Sequence, residues 1–338
     1  MTRVLLVRLS AMGDVVQSLG AVAALHQQRP DLELFFLTQL PFVPLLEQVP
    51  GITSVVGHDR RGGLTALRRT RRHLRHLDCQ VALDLQGNFK SALFARLSGC
   101  KERIGAAARW RQEPWSRVLL TRCVAVPGPR HPALVATTLV RELAPAAPLL
   151  LPRLPASDSD IQRAAKAVAA CGIDPGAPFR VVVVGGADDP RTQAQAALER
   201  ELQAGDQPCL LLAGPDEADV VPPAGVGVLR QGPGQLRELI GLGALVAANG
   251  GSVVGCDRGA THVLAATGAP TRVLFGPQDP AATSPPGAEV LQHPDPPGCM
   301  PCRSRRCSHR AGPVCMDFTS VEGRLRPADD WLSPTGSH

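Results

Sequence analysis

Four short segments concentrate the side chains that could do chemistry. The first is Leu9-Ser10-Ala11-Met12-Gly13-Asp14-Val15, small residues and one carboxylate between an apolar run and a helical stretch. Small residues at a strand's C-terminal end let backbone N–H groups approach a ligand, and a helix start favours an anion. The segment lacks both the glycine spacing of a dinucleotide fingerprint and the lysine of a P-loop. Asp14 has two readings: a carboxylate capping a first helical turn, or a general base placed where open α/β sheets bind ligands. The second segment, Asp84-Leu85-Gln86-Gly87-Asn88-Phe89-Lys90-Ser91, reads either as a binding edge or as a strand-to-helix turn capped by Asn88 or Gln86. The third, Gly255-Cys256-Asp257-Arg258-Gly259-Ala260-Thr261-His262, opens a helix with backbone donors, a hydroxyl and an imidazole, a set that suits a diphosphate. Its alternative is a capped helix with His262 packed on the sheet. The fourth is Cys299-x2-Cys302-x4-Cys307-x7-Cys315 with His309 nearby. Four thiols match the ligand count of a structural zinc site, and the first pair has knuckle spacing. Reduced free thiols and a disulfide or redox role are the other readings. A thioredoxin-like motif would need a strand before Cys299 and a helix after Cys302, and the proline-rich context offers neither.

These segments need a scaffold, and the chain supplies alternating short apolar runs and longer helical stretches. Residues 4–7 read as a strand, 15–28 as a helix stopped by Pro30-Asp31, 34–37 as a strand, 64–77 as a basic helix and 81–83 as a strand. Four prolines between 144 and 160 mark an interdomain linker. A second cycle follows, with strands at 181–184, 210–213, 252–254 and 272–275, and helices near 192–204 and from about Thr261. Strand–helix–strand repetition predicts an α/β chain with parallel sheets covered on both faces. The 338 residues suit two domains of ordinary size. The expected division is 1–150, 151–293 and a Cys/Pro/Arg-rich tail, 294–338.

Composition narrows the function classes. With 44% hydrophobic and 20% charged residues a packed core forms and bulk disorder is excluded. The net charge of +6 invites an anionic partner, but no Tyr, 3 Trp and 8 Phe argue against reading nucleic acid by base stacking. The positive charge is mostly arginine, since Lys90, Lys101 and Lys166 are the only lysines. It concentrates at Arg60, Arg61, Arg68, Arg69, Arg71, Arg72 and Arg75, interleaved with His58, His73 and His76. That run reads as a solvated helix face, as recognition of phosphate and carboxylate groups, or as a face held against an anionic membrane leaflet. Nucleic-acid binding is a further, weaker reading, with no recognition motif to support it. Cys79, Cys100, Cys123, Cys171, Cys209 and Cys256 are scattered singly and read as small core residues. The opening MTRVLLVRLS reads as a strand rather than a secretory leader. No apolar run reaches the roughly 18–20 residues of a bilayer span. A cytosolic protein with at most peripheral membrane contact is expected.

Taken together, the segments resemble a known family. Val7-Arg8-Leu9-Ser10-Ala11-Met12-Gly13-Asp14-Val15-Val16, the stretch from Asp84 to Ala92, Arg103-Ile104-Gly105 and Glu113-Pro114 are similar to the lipopolysaccharide heptosyltransferases of glycosyltransferase family 9, most of all the heptosyltransferase I branch. So are Gly255-x-Asp257-x-Gly259-x-x-His262 and Leu274-Phe275-Gly276-Pro277-x-Asp279-Pro280. The resemblance implies a GT-B fold, two Rossmann-like domains facing each other across a cleft, the N-terminal one binding acceptor and the C-terminal one binding nucleotide sugar. It implies inverting transfer of heptose from ADP-heptose to a Kdo–lipid A type inner core, with no cofactor required for the chemistry. Asp14 would be the base. Arg191, Asp257, Gly259, Thr261 and His262 would hold the donor, and Ser10, Met12, Gly13, Arg60, Arg61, Gln86 and Lys90 the acceptor. The enzyme would sit on the cytoplasmic face of the inner membrane, with no nucleic-acid partner. One stretch departs from the family pattern. Residues 184–192 lack the usual Pro-Gly, Lys and Trp-Pro, leave Arg191 as the nearest cation, and add Asp188 and Asp189, which repel a diphosphate. Arginine does not replace lysine neutrally, because its planar fork is bulkier. Arg258, Ala260 and Thr261 also differ from the family's common residues. The runner-up readings are a related transferase with another nucleotide sugar and a degenerate member that has lost donor chemistry.

Overall fold

The structure is a computed structural model that describes residues 2–185, 207–214, 225–232, 234–293, 295–304 and 306–318, together with 190, 191, 198, 202, 217, 222 and 223. The chain divides into two compact units, Met1–Leu154 and Pro155–His338.

The first unit is built on six parallel strands: β1 (Thr2–Val7), β2 (Leu32–Gln39), β3 (Ile52–His58), β4 (Val81–Asp84), β5 (Glu102–Ala106) and β6 (Arg122–Val124). Their order across the sheet is β3-β2-β1-β4-β5-β6. In β1, Val4, Leu5, Leu6 and Val7 are all fully buried, which is why this strand is a continuous apolar run rather than an alternating one. Helices α1 (Met12–Gln17), α2 (Leu19–Gln28), α3 (Val43–Leu46), α4 (Gly63–His76), α5 (Phe89–Ser98) and α6 (Pro132–Val140) connect and cover these strands. On α4 only Ala66, Thr70 and Leu74 are buried, a stripe at helical spacing that leaves the arginines outside. Leu74 joins Leu5, Val7, Phe35, Leu37, Val56 and Phe94 in one core cluster.

The second unit opens with α7 (Asp158–Ala170) and carries β7 (Arg180–Val183), β8 (Cys209–Ala213), β9 (Gly227–Arg230), β10 (Ser252–Cys256), β11 (Thr271–Phe275) and β12 (Glu289–Gln292), all parallel, in the order β12-β11-β10-β7-β8-β9. Its further helices among the described residues are α8 (Leu236–Ala248), α9 (Gly259–Ala266) and α10 (Pro280–Thr283). Both sheets follow the doubly wound order in which the first strand lies beside the fourth. Each therefore has a switch point where successive loops part company and leave a crevice at the strands' C-terminal ends. That point lies between β1 and β4 in the first unit and between β7 and β10 in the second.

Three local expectations are corrected. The helix expected over 15–28 starts at Met12 and breaks at Ser18, whose hydroxyl donates back to the Val15 carbonyl at 2.6 Å. Arg60 and Arg61 precede α4 instead of lying on it, because Gly63 takes a φ of 54° and the chain must turn there. Cys123 is exposed and Cys171 half-buried, so four of the six scattered cysteines, not all, are core residues. The helix expected near 192–204 lies outside the described residues. Among the described residues no helix is long and apolar enough to cross a membrane.

Candidate active site

At the first switch point the loops after β1 and β4 are bonded to each other. Gln86 accepts from the Leu9 amide at 2.8 Å and reaches Ser10 Oγ at 3.4 Å. Arg8, nearly buried at the end of β1, donates to the Leu85 carbonyl at 2.5 Å and pairs with Asp14 Oδ2 at 2.5 Å. Asp14 also accepts from the Ala11 amide at 3.1 Å, so it does cap the first turn of α1. Its side chain keeps 26% exposure, however, so one carboxylate both anchors the turn and faces solvent. Met12 and Gly13 form the turn beside it.

Beneath this loop pair lies a fully buried ion pair. Asp84 closes β4, accepts from the amides of Gln86 and Gly87 at 3.2 and 3.0 Å, and pairs with Arg111 Nη2 at 2.7 Å. Arg111 in turn donates twice to Ser116 Oγ, at 2.9 and 2.8 Å. Gly87 has a φ of 77° and passes close to Arg111, where a Cβ would come within 3.3 Å of its Cα. Asn88 caps α5 by accepting from Ser91, and Glu113 accepts from the Phe89 amide at 2.5 Å. Lys90 is exposed on the first turn of α5, and Arg60 and Arg61 are exposed in the turn after β3. The structure thus joins Ser10 to Gln86 directly, and Asp14 to the same β4 loop through Arg8. It sets the three acceptor-side cations on segments that follow the C-terminal ends of β3 and β4.

At the second switch point Asp257 follows β10. Its Oδ1 lies 3.1 Å from His262 Nε2, its Oδ2 accepts from Thr283 Oγ1 at 3.1 Å, and its carbonyl accepts from Arg191 at 3.1 Å. Two side chains therefore meet the buried Asp257 carboxylate, while Arg191 holds the backbone carbonyl of the same residue. Gly259 starts α9, whose N-terminus has no side-chain cap. Thr261 behaves differently from expectation. It is fully buried and its hydroxyl donates to the Cys256 carbonyl at 2.8 Å, so it secures the helix to the strand. Gly255 makes this possible, since a Cβ there would meet Thr261 Oγ1 at 2.6 Å. Arg258 pairs with Glu217 at 3.0 Å, and Glu217 accepts from the Gly214 amide at 2.8 Å. Positions 186–189 and 192 of the departing stretch, including Asp188 and Asp189, lie outside the described residues.

Several of these groups were not singled out from the sequence: Arg8, Arg111, Glu217 and Thr283. Arg8 carried a usable signal, a charge immediately after a buried apolar strand. The others are distant in sequence from their partners.

In the tail, Cys299, Cys302, Cys307 and Cys315 border a single cavity of about 30 Å³, together with His309, Pro190 and Pro277. Cys315 is buried and the other three are exposed. Burial pushes the Cys315 thiol up to about 11, and the neighbouring thiols of Cys302, Cys307 and Cys299 push the same way. Among the described residues no three His, Cys, Asp or Glu side chains stand arranged to hold a metal ion.

Residues 234–311 match the family model for glycosyltransferase family 9 (heptosyltransferase). The chain is 26% identical to lipopolysaccharide heptosyltransferase 1 of Pseudomonas aeruginosa, over 91% of this chain and 88% of that one. Among solved structures it is similar to a family 9 glycosyltransferase from Veillonella parvula (TM-score 0.72, 15% identity, 86% and 85% of the two chains). It is also similar to the E. coli heptosyltransferase WaaC with ADP (TM-score 0.64, 22% identity, 83% and 90%) and to E. coli ADP-heptose lps heptosyltransferase II (TM-score 0.66, 21% identity, 87% and 91%). With them the chain shares the α/β GT-B fold.

Proposed function

We propose that this chain, a glycosyltransferase of the family 9 heptosyltransferases, transfers heptose from ADP-heptose to the inner core of lipopolysaccharide with inversion at the anomeric carbon. One observation carries the reading: the segments that suit acid–base work and diphosphate binding fall at the switch points of two separate doubly wound sheets. In that position their backbone donors and side chains converge on a ligand rather than on the core.

In this reading the first unit binds the acceptor and Asp14 takes the proton from its attacking hydroxyl. The oxygen–anomeric carbon bond forms as the bond to the diphosphate breaks, and ADP leaves with the electron pair. Inversion in a single displacement needs one base and a stabilised leaving group, with no enzyme nucleophile. Arg8 aims the Asp14 carboxylate through their 2.5 Å ion pair. Gln86 ties the Ser10 loop to the β4 loop, and Arg60, Arg61 and Lys90 offer charge to the acceptor's anionic groups. In the second unit the start of α9, with Arg191 held on Asp257, meets the diphosphate charge. Asp257 orients His262 and Thr283. The exposed arginines of α4 place the enzyme against an anionic leaflet on the cytoplasmic side of the inner membrane.

The tail thiols are read as the ligands of a structural zinc ion. The donor set suits a thiophilic divalent metal, and all four thiols border one cavity. Cys299, Cys302, Cys307 and Cys315 would hold it. The ion would cross-link the tail and take no part in transfer.

Purified protein with ADP-heptose and a Kdo-bearing acceptor tests the assignment. Asp14→Ala is expected to abolish turnover while ADP affinity stays within a few-fold. Near-normal turnover by that variant would remove the base assignment. A wild-type chain with no detectable ADP binding at millimolar nucleotide would point to the degenerate reading instead.

A further inference from the structure

We propose that metal binding by the tail thiols sets the affinity of the donor site, because the tail is the part that holds the donor loop in place. The proposal rests on the reading of the second unit as the nucleotide-sugar half. The coupling follows a chain of contacts within that unit. Cys315 and the fully buried Met316 pack on Val254, Cys256 and Leu274, the ends of β10 and β11. Gly276, the residue after β11, lets them approach: a Cβ there would meet Met316 Sδ at 2.6 Å and Cys315 Sγ at 2.9 Å. The same tail reaches the rest of that loop through Arg303. Its amide donates to the Pro277 carbonyl at 2.7 Å and its guanidinium pairs with Asp279 at 2.7 Å.

Asp279 caps α10 by accepting from Ala281. Thr283 on α10 donates to Asp257, and Asp257 holds His262. From Arg303 to the candidate donor side chains there are therefore only Asp279, one short helix and Thr283. A second route runs through the cavity wall itself. Pro190 and Pro277 both border it, and Arg191, next to Pro190, donates to the Asp257 carbonyl. A cavity ringed by thiols thus touches both loops that meet at Asp257.

In this tail Met300 packs against the Cys315–Met316 cluster, while Cys299, Cys302 and Cys307 are exposed. An ion of the zinc or ferrous class would draw these three thiols to Cys315, with the thiol protons released to solvent. It would tie the exposed thiols to the buried Cys315 and tighten the tail's hold on Gly276–Asp279. The ligand class is a thiophilic divalent cation, and its effect is on nucleotide binding rather than on bond making.

The test uses the full chain purified under reducing conditions. Zinc and iron content are measured by mass spectrometry, ADP affinity by calorimetry, and amide exchange over residues 276–283, each before and after chelation. One ion per chain is expected, lost in the double variant C302S/C307S. Chelation should weaken ADP binding about fivefold or more, within the usual range of coupling between sites, and speed exchange at 276–283, and added zinc should reverse both. Arg303→Ala should keep the ion yet bind ADP weakly, with no further response to chelation. The proposal is overturned if reduced protein takes up no ion even with zinc added, or if ADP affinity and exchange are the same with and without it. If no form binds ADP but the ion still slows exchange at 276–283, the tail's metal-tightened hold stands and the nucleotide assignment falls.

Discussion

Replacing Asp84 by Asn would remove one charge from a pair in which both side chains have no solvent exposure. Arg111 would then be left as a buried cation, with Nη1 already lacking a partner. Breaking a buried pair from one side costs about 3–5 kcal/mol, because the remaining charge is neither solvated nor neutralised. Asparagine can still accept from the Gln86 and Gly87 amides, so Asp84→Asn should sit near the lower end. Asp84→Ala also strands those two amides and should cost ~1 kcal/mol more for each. Arg111→Met should cost a similar amount, since it leaves the carboxylate unpaired. The double variant Asp84→Asn with Arg111→Met has no buried charge and should recover ~2 kcal/mol or more relative to the sum of the single changes. Urea unfolding followed by tryptophan fluorescence suits the measurement, because Trp110 and Trp115 flank Arg111 in the chain. Trp331 is replaced by Phe so that the signal comes from the first unit alone. Single variants each costing under about 1 kcal/mol, or a double variant that simply adds them, would refute the view that this pair anchors the β4 loop.

Other outcomes follow from the same structure. Arg8→Met should lower kcat by about tenfold to a hundredfold with little change in KM for ADP-heptose, the worth of one charge-assisted hydrogen bond on the base. Arg8→Lys should restore part of it, and an unchanged kcat would show that Arg8 does not aim Asp14. Burial holds the His58 imidazole below its usual value of 6.5, the nearby Asp59 opposing and Lys90 assisting. The unfolded chain therefore takes up this proton first, and stability falls as pH drops through 6.5 toward the lower folded value. His58→Gln should flatten that part of a denaturation-midpoint profile, and an identical slope would assign the effect elsewhere. Brief alkylation of reduced, metal-free protein should label the exposed Cys123, Cys299, Cys302 and Cys307 first, while Cys79, whose thiol burial raises to about 12, resists. Added zinc should leave Cys123 as the fast site, as read by peptide mass spectrometry.

The amino-acid sequence by itself determined the class of fold and the segments that matter. Strands such as β1, β4, β8 and β10 are buried on both faces, so they appear as short unbroken apolar runs that local reading finds. The polar loops after β1, β4 and β10 stood out because small and ionisable residues interrupt those runs. Periodicity misplaces the start of the helix at Met12 by a few residues and does not separate Arg60 and Arg61 from the basic face of α4, because caps and glycine turns are set by φ/ψ detail that it does not carry. Only the tertiary structure decided which loops meet. Strand order brings β1 beside β4 and β10 beside β7, and hence Gln86 to Leu9 and Arg191 to Asp257. The pairing of Asp84 with Arg111, the turn of Thr261 inward onto Cys256, and the reach of Arg303 to Asp279 belong to the same category. Each joins groups whose separation along the chain says nothing about their distance. Residue types restrict which partners are chemically acceptable, but the choice among them is made by packing, where burying a charge is tolerated only if the fold delivers its counterpart.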